Sequence, residues 1–349
     1  MTTHTPNPSP KQTTTEIDAL VVGAGVAGLY QLHRLRTAGL KTQCVDAAPG
    51  IGGTWYWNCY PGARLDSPSY TYQYWFDDEI LNEWEWSERF PAQPEVLSYL
   101  EFVAQKLNLH SDIALNTRIA NAHWQEEEQR WLVTSEAGQR WRARFLISCV
   151  GMLSAPNTPD IAGIDAFKGT LLHTARWPQE GIDLTDKRVG VIGVGATGIQ
   201  VIQTLAPIVP ELFVFQRTPQ YAVKMNNYPL TAEQLDYWRS QYPSMKTALH
   251  TTFGGFEWSI PELGEAAAMT PEQRRAILEE SWQDGSLKMW VGTYPEVLSD
   301  PDLNREASDF VRDKIRARID DPEVADKLIP KSYGFGTYRV PLESSYYDA

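Results

Sequence analysis

Two glycine-rich turns carry the most informative spacing in this sequence. Gly23, Gly25 and Gly28 form the first, and Gly193, Gly195 and Gly198 form the second, each as G-x-G-x-x-G. In such a turn the glycines permit a tight bend and bring the backbone close to a pyrophosphate. The N–H groups at the start of the following helix favour an anion. Each turn therefore predicts a dinucleotide site.

The residues after the next strand distinguish the two turns. Asp46 lies eighteen residues beyond Gly28, where a carboxylate accepts hydrogen bonds from an adenosine ribose. After the second turn the matching place holds Arg217 and Thr218, and an arginine there favours the 2′-phosphate of NADP. A chance glycine turn with an unrelated Asp46, and an ordinary solvated Arg217, are the alternatives.

The cysteines bear on where electrons could go. Cys44, Cys59 and Cys149 contain no C-x-x-C pair, which excludes a redox dithiol and gives no zinc site, so no metal is expected. One turn with an acidic residue and one with an arginine suggest FAD reduced by NADPH. Without a dithiol acceptor, dioxygen is the expected oxidant.

Strands and helices alternate around both turns, as βαβ units do. The elements predicted for the first unit are a strand at Ile17–Val22, a helix at Val26–Thr37 and a strand at Thr42–Asp46. The second has strands at Lys187–Ile192 and Glu211–Arg217 with a helix at Ala196–Leu205. Alternating stretches at 130–135 and 141–150 indicate a hairpin. The predicted fold class is α/β, with two Rossmann-like dinucleotide-binding domains and a mainly helical insertion.

Composition shifts divide the chain further. Residues 151–163 contain two prolines and two glycines and indicate a linker. The predicted segments are a disordered tail at 1–16, the N-terminal part of the FAD domain at 17–150, the linker at 151–163, the first part of the NADP domain at 164–221, a helical subdomain at 222–332, and a return segment to the NADP domain at 333–349. Thr231 with Gln234, and Thr270 with Gln273, are predicted capping boxes.

The net charge of −13 argues against polyanionic binding partners. With 31 basic against 44 acidic residues, binding to nucleic acid or to an anionic membrane is not expected. The polar N-terminal stretch lacks the apolar core of a signal peptide, and no apolar run is long enough to cross a bilayer. The expected location is the cytoplasm.

Five ordered motifs resemble one enzyme family. Phe167, Gly169, His173 and Trp177 fit F-x-G-x-x-x-H-x-x-x-W-P, the fingerprint of type I Baeyer–Villiger monooxygenases. The other motifs are Gly52–Asn58 with Gly53, Thr54 and Trp55, Tyr60–Arg64, Asp66, and Gly336–Glu343 with Arg339. The resemblance runs from residue 17 onward.

The resemblance implies FAD, NADPH, O2 and a small ketone as the reaction partners. NADPH would reduce FAD, O2 would add at flavin C4a, and the peroxyflavin would attack the ketone to give an ester or lactone. Gly53, Thr54 and Trp55 would lie in the cofactor site. In the family, the arginine matching Arg339 stabilises the peroxide anion and the adduct, and the aspartate matching Asp66 bonds to it.

Structural alternatives stand beside these assignments. Arg339 could be a surface ion-pair residue, and Asp66 could cap a turn before Pro68. His173 is expected to be structural rather than chemical. Most aromatic residues of the 50–90 region are expected to serve packing, with Tyr70, Tyr72 and Tyr74 on one face of an extended segment.

The sequence departs from the family at two places. Tyr338 stands where the family commonly has a lysine that helps hold the 2′-phosphate, so a weaker preference for NADPH is expected. Family members continue well beyond the position of Arg339, so we expect the C-terminal part of the FAD domain to be missing, in a fragment or a truncated product. A flavin-containing N- or S-monooxygenase, disfavoured by Trp177, and an inert nucleotide-binding remnant are the alternatives.

Overall fold

The computed structural model describes residues 13–349, which contain ten strands and eleven helices. The strands are β1 (Thr14–Val22), β2 (Thr42–Val45), β3 (Ile113–Ala114), β4 (Ile119–Gln125), β5 (Arg130–Ser135), β6 (Arg140–Ser148), β7 (Arg188–Ile192), β8 (Glu211–Phe215), β9 (Val223–Lys224) and β10 (Leu342–Glu343). The helices are α1 (Val26–Thr37), α2 (Thr54–Trp57), α3 (Asp78–Glu83), α4 (Gln93–Lys106), α5 (Ala196–Leu205), α6 (Ala232–Thr251), α7 (Glu265–Ala268), α8 (Pro271–Asp284), α9 (Lys288–Val291), α10 (Pro301–Arg316) and α11 (Pro322–Leu328).

These elements form two compact units. The first contains the described residues up to Cys59 together with Val96–Trp177, and the second contains Tyr60–Glu95 together with Pro178–Ala349. The units differ from the predicted division, because residues 60–95 join the second unit and residues 151–177 join the first.

Long-range polar contacts explain the place of residues 60–95. Arg89 is almost fully buried and forms a bidentate pair with the Asp284 carboxylate, at 3.0 and 3.1 Å. The Phe90 N–H donates to the Asn227 side chain at 2.9 Å. A buried arginine needs such partners, and they come from sequence-distant parts of the second unit.

A six-stranded sheet, in the order β3-β2-β1-β6-β5-β4, forms the first unit. β1 pairs in parallel with both β2 and β6, so that Val21 lies opposite Cys44 and Ile147. β5 pairs antiparallel with β6, which confirms the predicted hairpin, and β4 adds a further antiparallel strand beside β5. A central parallel strand is covered on both faces, and Ala19 and Leu20 are accordingly fully buried.

The start of β1 corrects one expectation. The strand begins at Thr14 rather than at Ile17, because β6 runs beside it as far as Arg140 and offers backbone partners to the polar residues 14–16. The rest of the predicted tail, residues 1–12, lies outside the described residues.

The second unit contains the other βαβ arrangement. β7 and β8 pair in parallel with Val191 opposite Val214, and α5 connects them. This two-stranded sheet is largely exposed, including Ile192 and Phe215. A separate parallel pair joins β9 to β10, with Leu342 opposite Val223.

Helices around α10 supply the core of the second unit. The buried apolar residues of α10 recur at helical spacing, which places them on one face: Leu303, Ala307, Phe310, Val311 and Ile315. Both predicted capping boxes, at the starts of α6 and α8, are present. No helix within residues 13–349 is long and apolar enough to span a membrane. The cytoplasmic location stays a prediction.

Candidate active site

The first glycine turn links β1 to α1 within the first unit. Gly23 has a φ of +109°, and a Cβ on Gly28 would lie 1.7 Å from the Gly23 carbonyl oxygen. Gly25 is the N-cap of α1 and provides no side-chain acceptor, and the first turn of the helix contains no acidic residue. The start of α1 is therefore compatible with a bound anion.

A second glycine approaches this turn. A Cβ on Gly53 would lie 2.9 Å from the Cα of Gly25, so the two backbones meet where no side chain fits. Thr54 follows at the exposed start of α2. Trp55 is buried, at 8% exposure.

Asp46 follows β2 and is half-buried. Its Oδ2 accepts the Ala24 N–H at 2.6 Å, and its Oδ1 accepts the Ala48 N–H at 2.7 Å. These bonds fix the carboxylate beside the glycine turn. Each carboxylate oxygen has a further acceptor position, which suits the hydroxyl groups of a ribose.

The fingerprint residue His173 stabilises a local turn. Its Nδ1 accepts the Ala175 N–H at 3.1 Å and caps the 3-10 turn Thr174–Arg176. Its Nε2 lies 3.4 Å from the Asn157 carbonyl oxygen. Trp177 is buried. These contacts agree with a structural rather than chemical role for His173.

The remaining fingerprint residues also make local contacts in the first unit. Phe167 is exposed, and a Cβ on Gly169 would lie 2.5 Å from its ring. Gly169 therefore lets the ring lie against the backbone. The Arg176 guanidinium lies 4.5 Å from the ring centre of Trp57 and donates to the Ser154 carbonyl oxygen at 2.9 Å.

The second glycine turn has the same design within the second unit. Gly193 has a φ of +97°, and a Cβ on Gly198 would lie 2.2 Å from the Gly193 carbonyl oxygen. Gly195 caps α5 without a side chain, and no acidic residue lies in the first turn. A Cβ on Gly195 would meet nothing within 4 Å. The turn is open on the side where a pyrophosphate would approach.

Four longer or later helices of the same unit begin differently. Side-chain oxygens of four residues cap the starts of α6, α8, α10 and α11: Thr231, Thr270, Asp300 and Asp321. Each of these helices also has an acidic residue in its first turn. α5 lacks both features, so its start is compatible with a bound anion.

Arg217 lies two residues after β8 and is exposed. Within residues 13–349 no carboxylate forms an ion pair with it, so its charge is free for a phosphate. Thr218 beside it is half-buried. Tyr338, which replaces the family lysine, is exposed and packs edge-on against Tyr333, with ring centres 4.9 Å apart.

Asp66 and Arg339 come together, although 273 positions separate them in the chain. The Arg339 guanidinium donates to the Asp66 carboxylate in an ion pair. The Asp66 side chain is 18% exposed and that of Arg339 is 54% exposed. Burial raises the pKa of Asp66, and the positive charge of Arg339 opposes this shift without cancelling it. The pair thus presents a cation partly exposed to solvent.

The loop that carries Asp66 rests on α5. The Tyr60 hydroxyl donates to Gln200 Oε1 at 2.8 Å, and Gln200 Nε2 donates to the Arg64 carbonyl oxygen at 3.2 Å. Burial raises the pKa of Tyr60, which keeps the hydroxyl protonated. Gln200 was not among the predicted site residues. Its signal is a polar residue within the apolar run Ile199–Ile202.

The aromatic region of the second unit serves packing at several positions. Tyr70 is buried and stacks on Trp238, with ring centres 4.0 Å apart, while its hydroxyl donates to Glu257. The expected extended segment is wrong here, since Ser69–Thr71 forms a 3-10 turn. The N–H and hydroxyl of Thr71 both donate to the Pro68 carbonyl oxygen, which closes that turn.

Comparisons with known proteins identify the family of this chain. A sequence model described as flavin-binding monooxygenase-like matches residues 17–230. The chain is 52% identical over 333 residues to acetone monooxygenase (methyl acetate-forming) of Gordonia sp. strain TY-5, covering 95% of this chain and 62% of that protein. It is 40% identical to cyclopentanone 1,2-monooxygenase of Comamonas sp. strain NCIMB 9872, covering 95% and 60%.

A solved structure gives the same result for the fold. The crystal structure of OTEMO in complex with FAD and NADP superposes with a TM-score of 0.91 at 41% identity, covering 96% of this chain and 64% of that one. The chain thus spans about three fifths of the length of the relatives it matches. The resemblance to Baeyer–Villiger monooxygenases is confirmed in sequence and in fold. On the match to more than half of its residues, the chain belongs to the flavin-binding monooxygenase-like family.

Proposed function

We propose that this chain binds FAD at the first glycine turn and NADPH at the second. We further propose that it serves a Baeyer–Villiger oxidation, in which a ketone, O2, NADPH and a proton give an ester or lactone, NADP+ and water. The support from relatives is that one is named for forming methyl acetate from acetone and another for acting on cyclopentanone. The observation that carries the proposal is the ion pair of Arg339 with Asp66.

The first unit fits FAD through its backbone. Gly25 and Gly53 leave no side chain where the turn meets the neighbouring loop. The start of α1 has neither a side-chain cap nor an acidic residue in its first turn, which favours a pyrophosphate there. Asp46 is held in place by two backbone N–H groups and retains acceptor positions for ribose hydroxyls.

The second unit fits NADPH through a similar glycine turn, with an arginine where the first unit has an aspartate. Gly195 leaves open space beside the uncapped start of α5. Arg217, exposed and without an acidic partner in the described part of the chain, would bind the 2′-phosphate, and Thr218 would add a hydroxyl donor. Because Tyr338 cannot supply a second positive charge, we expect only a moderate preference for NADPH over NADH.

When bound, FAD supplies the chemistry that activates O2 with the hydride taken from NADPH. The part of Arg339 is electrostatic. An oxygen nucleophile that attacks a ketone leaves negative charge on the former carbonyl oxygen, and a fixed cation lowers the energy of that state. Arginine keeps its charge in nearly any surroundings, so it can serve at every working pH.

Asp66 acts on Arg339 rather than on the ketone. Its carboxylate accepts from the guanidinium and restricts where that long side chain points. Burial opposes the ionised form of Asp66, so the pair depends on both charges being present. Loss of Arg339 leaves the largely buried Asp66 carboxylate without its counter-charge, whereas the half-exposed Arg339 stays solvated when Asp66 is lost.

Replacement of Arg339 tests the proposal. In Arg339→Ala, conversion of ketones to esters should fall at least a hundredfold, because removal of one oxyanion-stabilising donor costs about 10²–10³ in rate. Binding of FAD and NADPH should stay within a factor of three. The assay combines product analysis on cyclic and linear ketones and a thioether with absorbance of bound flavin. Arg305→Ala, in an exposed pair with Asp302, is the matched control.

Two results would contradict the proposal. Ester formation that survives in Arg339→Ala would remove the assigned role, and sulfoxide as the sole product of the unaltered chain would favour an N- or S-monooxygenase. The same preparation tests the nucleotide assignment. Arg217→Ala should weaken NADP+ binding about tenfold and leave NAD+ unchanged, as one charged contact to a phosphate is lost.

A further inference from the structure

Helix α5 does more than begin at the second glycine turn. Its next turns carry Gln200 and Gln203, two side chains whose amide groups bond to loops rather than to solvent. Gln200 is 5% exposed. A buried amide is retained only where its donor and acceptor find partners. The partners of these two residues identify what the helix supports.

Gln200 holds the loop that leads to Asp66. Its amide accepts from the Tyr60 hydroxyl and donates to the Arg64 carbonyl oxygen, so it clamps the loop at two points. The Tyr60 hydroxyl also lies 3.5 Å from the Thr197 hydroxyl, inside the glycine turn itself. Asp66 follows Arg64 by two residues, and its position is thereby tied to α5.

Gly62 brings this loop into direct contact with the helix. A Cβ on Gly62 would lie 2.5 Å from the Gln200 carbonyl oxygen and 2.2 Å from the Thr204 hydroxyl. Gly62 also has a φ of +81°. The loop therefore lies against the backbone of α5, and a displacement of the helix moves the loop with it.

Gln203 holds the segment that follows Arg339. Its Oε1 accepts the N–H of Ser344 at 2.9 Å and that of Ser345 at 3.4 Å. Just before them, Glu343 is fully buried, pairs with Arg318 and accepts the Tyr346 N–H at 3.1 Å. These bonds fix the segment that follows Arg339 in the chain.

We propose that Gln200 and Gln203 are positioning residues that tie both halves of the Asp66–Arg339 pair to the helix that receives the dinucleotide. The inference rests on the proposed function of the second turn as the NADPH site. A dinucleotide bound at the start of α5 stabilises the helix in its native place. Because each loop is bonded to that helix, occupation of the turn also makes the two loops open less often.

Hydrogen exchange of backbone amides measures this coupling without any turnover. The reporters are the Ile199 amide in α5, the Ala63 and Leu65 amides in the first loop, and the Tyr346 amide in the second segment. In the unaltered chain, saturating NADP+ should slow exchange at all four by about tenfold. Gln200→Leu should abolish the slowing at Ala63 and Leu65 only.

Gln203→Leu is the matched variant on the same helix. It should abolish the NADP+ effect at Tyr346 and preserve it at Ala63 and Leu65. Tyr60→Phe removes a single hydroxyl and should halve the effect in the first loop, which keeps the test valid if Gln200→Leu fails to fold. A merely structural role would raise exchange equally with and without NADP+, so only the NADP+-dependent ratio decides.

The outcomes separate the two proposals. An unchanged NADP+ effect at Ala63 and Leu65 in both Gln200→Leu and Tyr60→Phe overturns the positioning role while leaving the dinucleotide site intact. Absence of any NADP+ effect at Ile199 in the unaltered chain overturns the dinucleotide site, and the positioning role with it.

Discussion

The Asp66–Arg339 pair joins a largely buried acid to a half-exposed base, and this asymmetry governs its behaviour. Taking a carboxylate out of water disfavours its charged form, which raises the pKa of Asp66. The guanidinium acts in the opposite direction. Arg339 therefore depends less on Asp66 for its charge than Asp66 depends on Arg339.

Substitution of Arg339 should expose this dependence in the pKa of Asp66. In Arg339→Gln the burial remains while the opposing charge is lost, so the pKa of Asp66 should rise further. The folded state then binds a proton that the unfolded chain has released above about pH 4. By linkage, the free energy of unfolding falls as pH rises through that interval, and the fall should extend to higher pH in the variant.

Carboxyl NMR of the labelled protein, with Asp66→Asn to assign the signal, measures the pKa directly. Denaturant titrations at a series of pH values measure the stability. The double variant Asp66→Asn/Arg339→Gln should lose the extra pH dependence, since position 66 no longer carries a carboxylate that can titrate. An unchanged Asp66 pKa in Arg339→Gln would mean that the two charges do not interact.

The bounds of helices and strands could be predicted where residues close in sequence determine them. The predicted helices at Val26–Thr37 and Ala196–Leu205 match α1 and α5, because a glycine turn starts each of them. The start of β1 was not readable, because residues 14–16 are polar and gain their partners only from β6. Tyr70 likewise follows local turn bonds rather than its period-two spacing.

The glycine turns allow a paired test, since the structure separates a packing glycine from an open one. Gly195→Ala should fold with a loss of about 1 kcal/mol or less, because its φ of −71° suits alanine and its Cβ would meet open space. The new methyl group would occupy the place where a pyrophosphate approaches, so NADP+ binding should weaken at least tenfold.

Gly198→Ala provides the contrast. Its Cβ would lie 2.2 Å from a backbone oxygen, so the turn must distort, and stability should fall by about 1–3 kcal/mol. Calorimetric titration with NADP+ and denaturant unfolding measure the two effects. Equal losses of stability in both variants would contradict the assignment of distinct roles to these glycines.

At the scale of the whole chain, the sequence did not predict which compact unit each segment joins. The two βαβ motifs predicted two dinucleotide-binding parts, and each compact unit contains one of the two βαβ motifs. The place of residues 60–95 depends on Arg89, Phe90 and their distant partners, and no local pattern encodes such contacts. The ion pair of Asp66 with Arg339 is another contact between residues distant in sequence. Only the family resemblance predicted it.

Because each unit has its own sheet and its own glycine turn, the two proposed cofactors should stabilise different parts of the chain. Multidomain chains commonly unfold in more than one step, so calorimetry should resolve two transitions. A ligand at a hundredfold excess over its Kd adds about 2.7 kcal/mol to the unit that binds it. For a unit of this size that corresponds to roughly 5–10 °C. FAD should shift one transition, and NADP+ the other.

Gly195→Ala identifies which transition is which, since it should cancel the NADP+ shift and retain the FAD shift. Gly53→Ala should do the reverse, because a Cβ there would lie 2.9 Å from the Cα of Gly25 in the first unit. A single transition that both ligands raise together, in the unaltered chain and in both variants, would show that the two units unfold as one cooperative body. It would also show that neither glycine marks a site for one ligand alone.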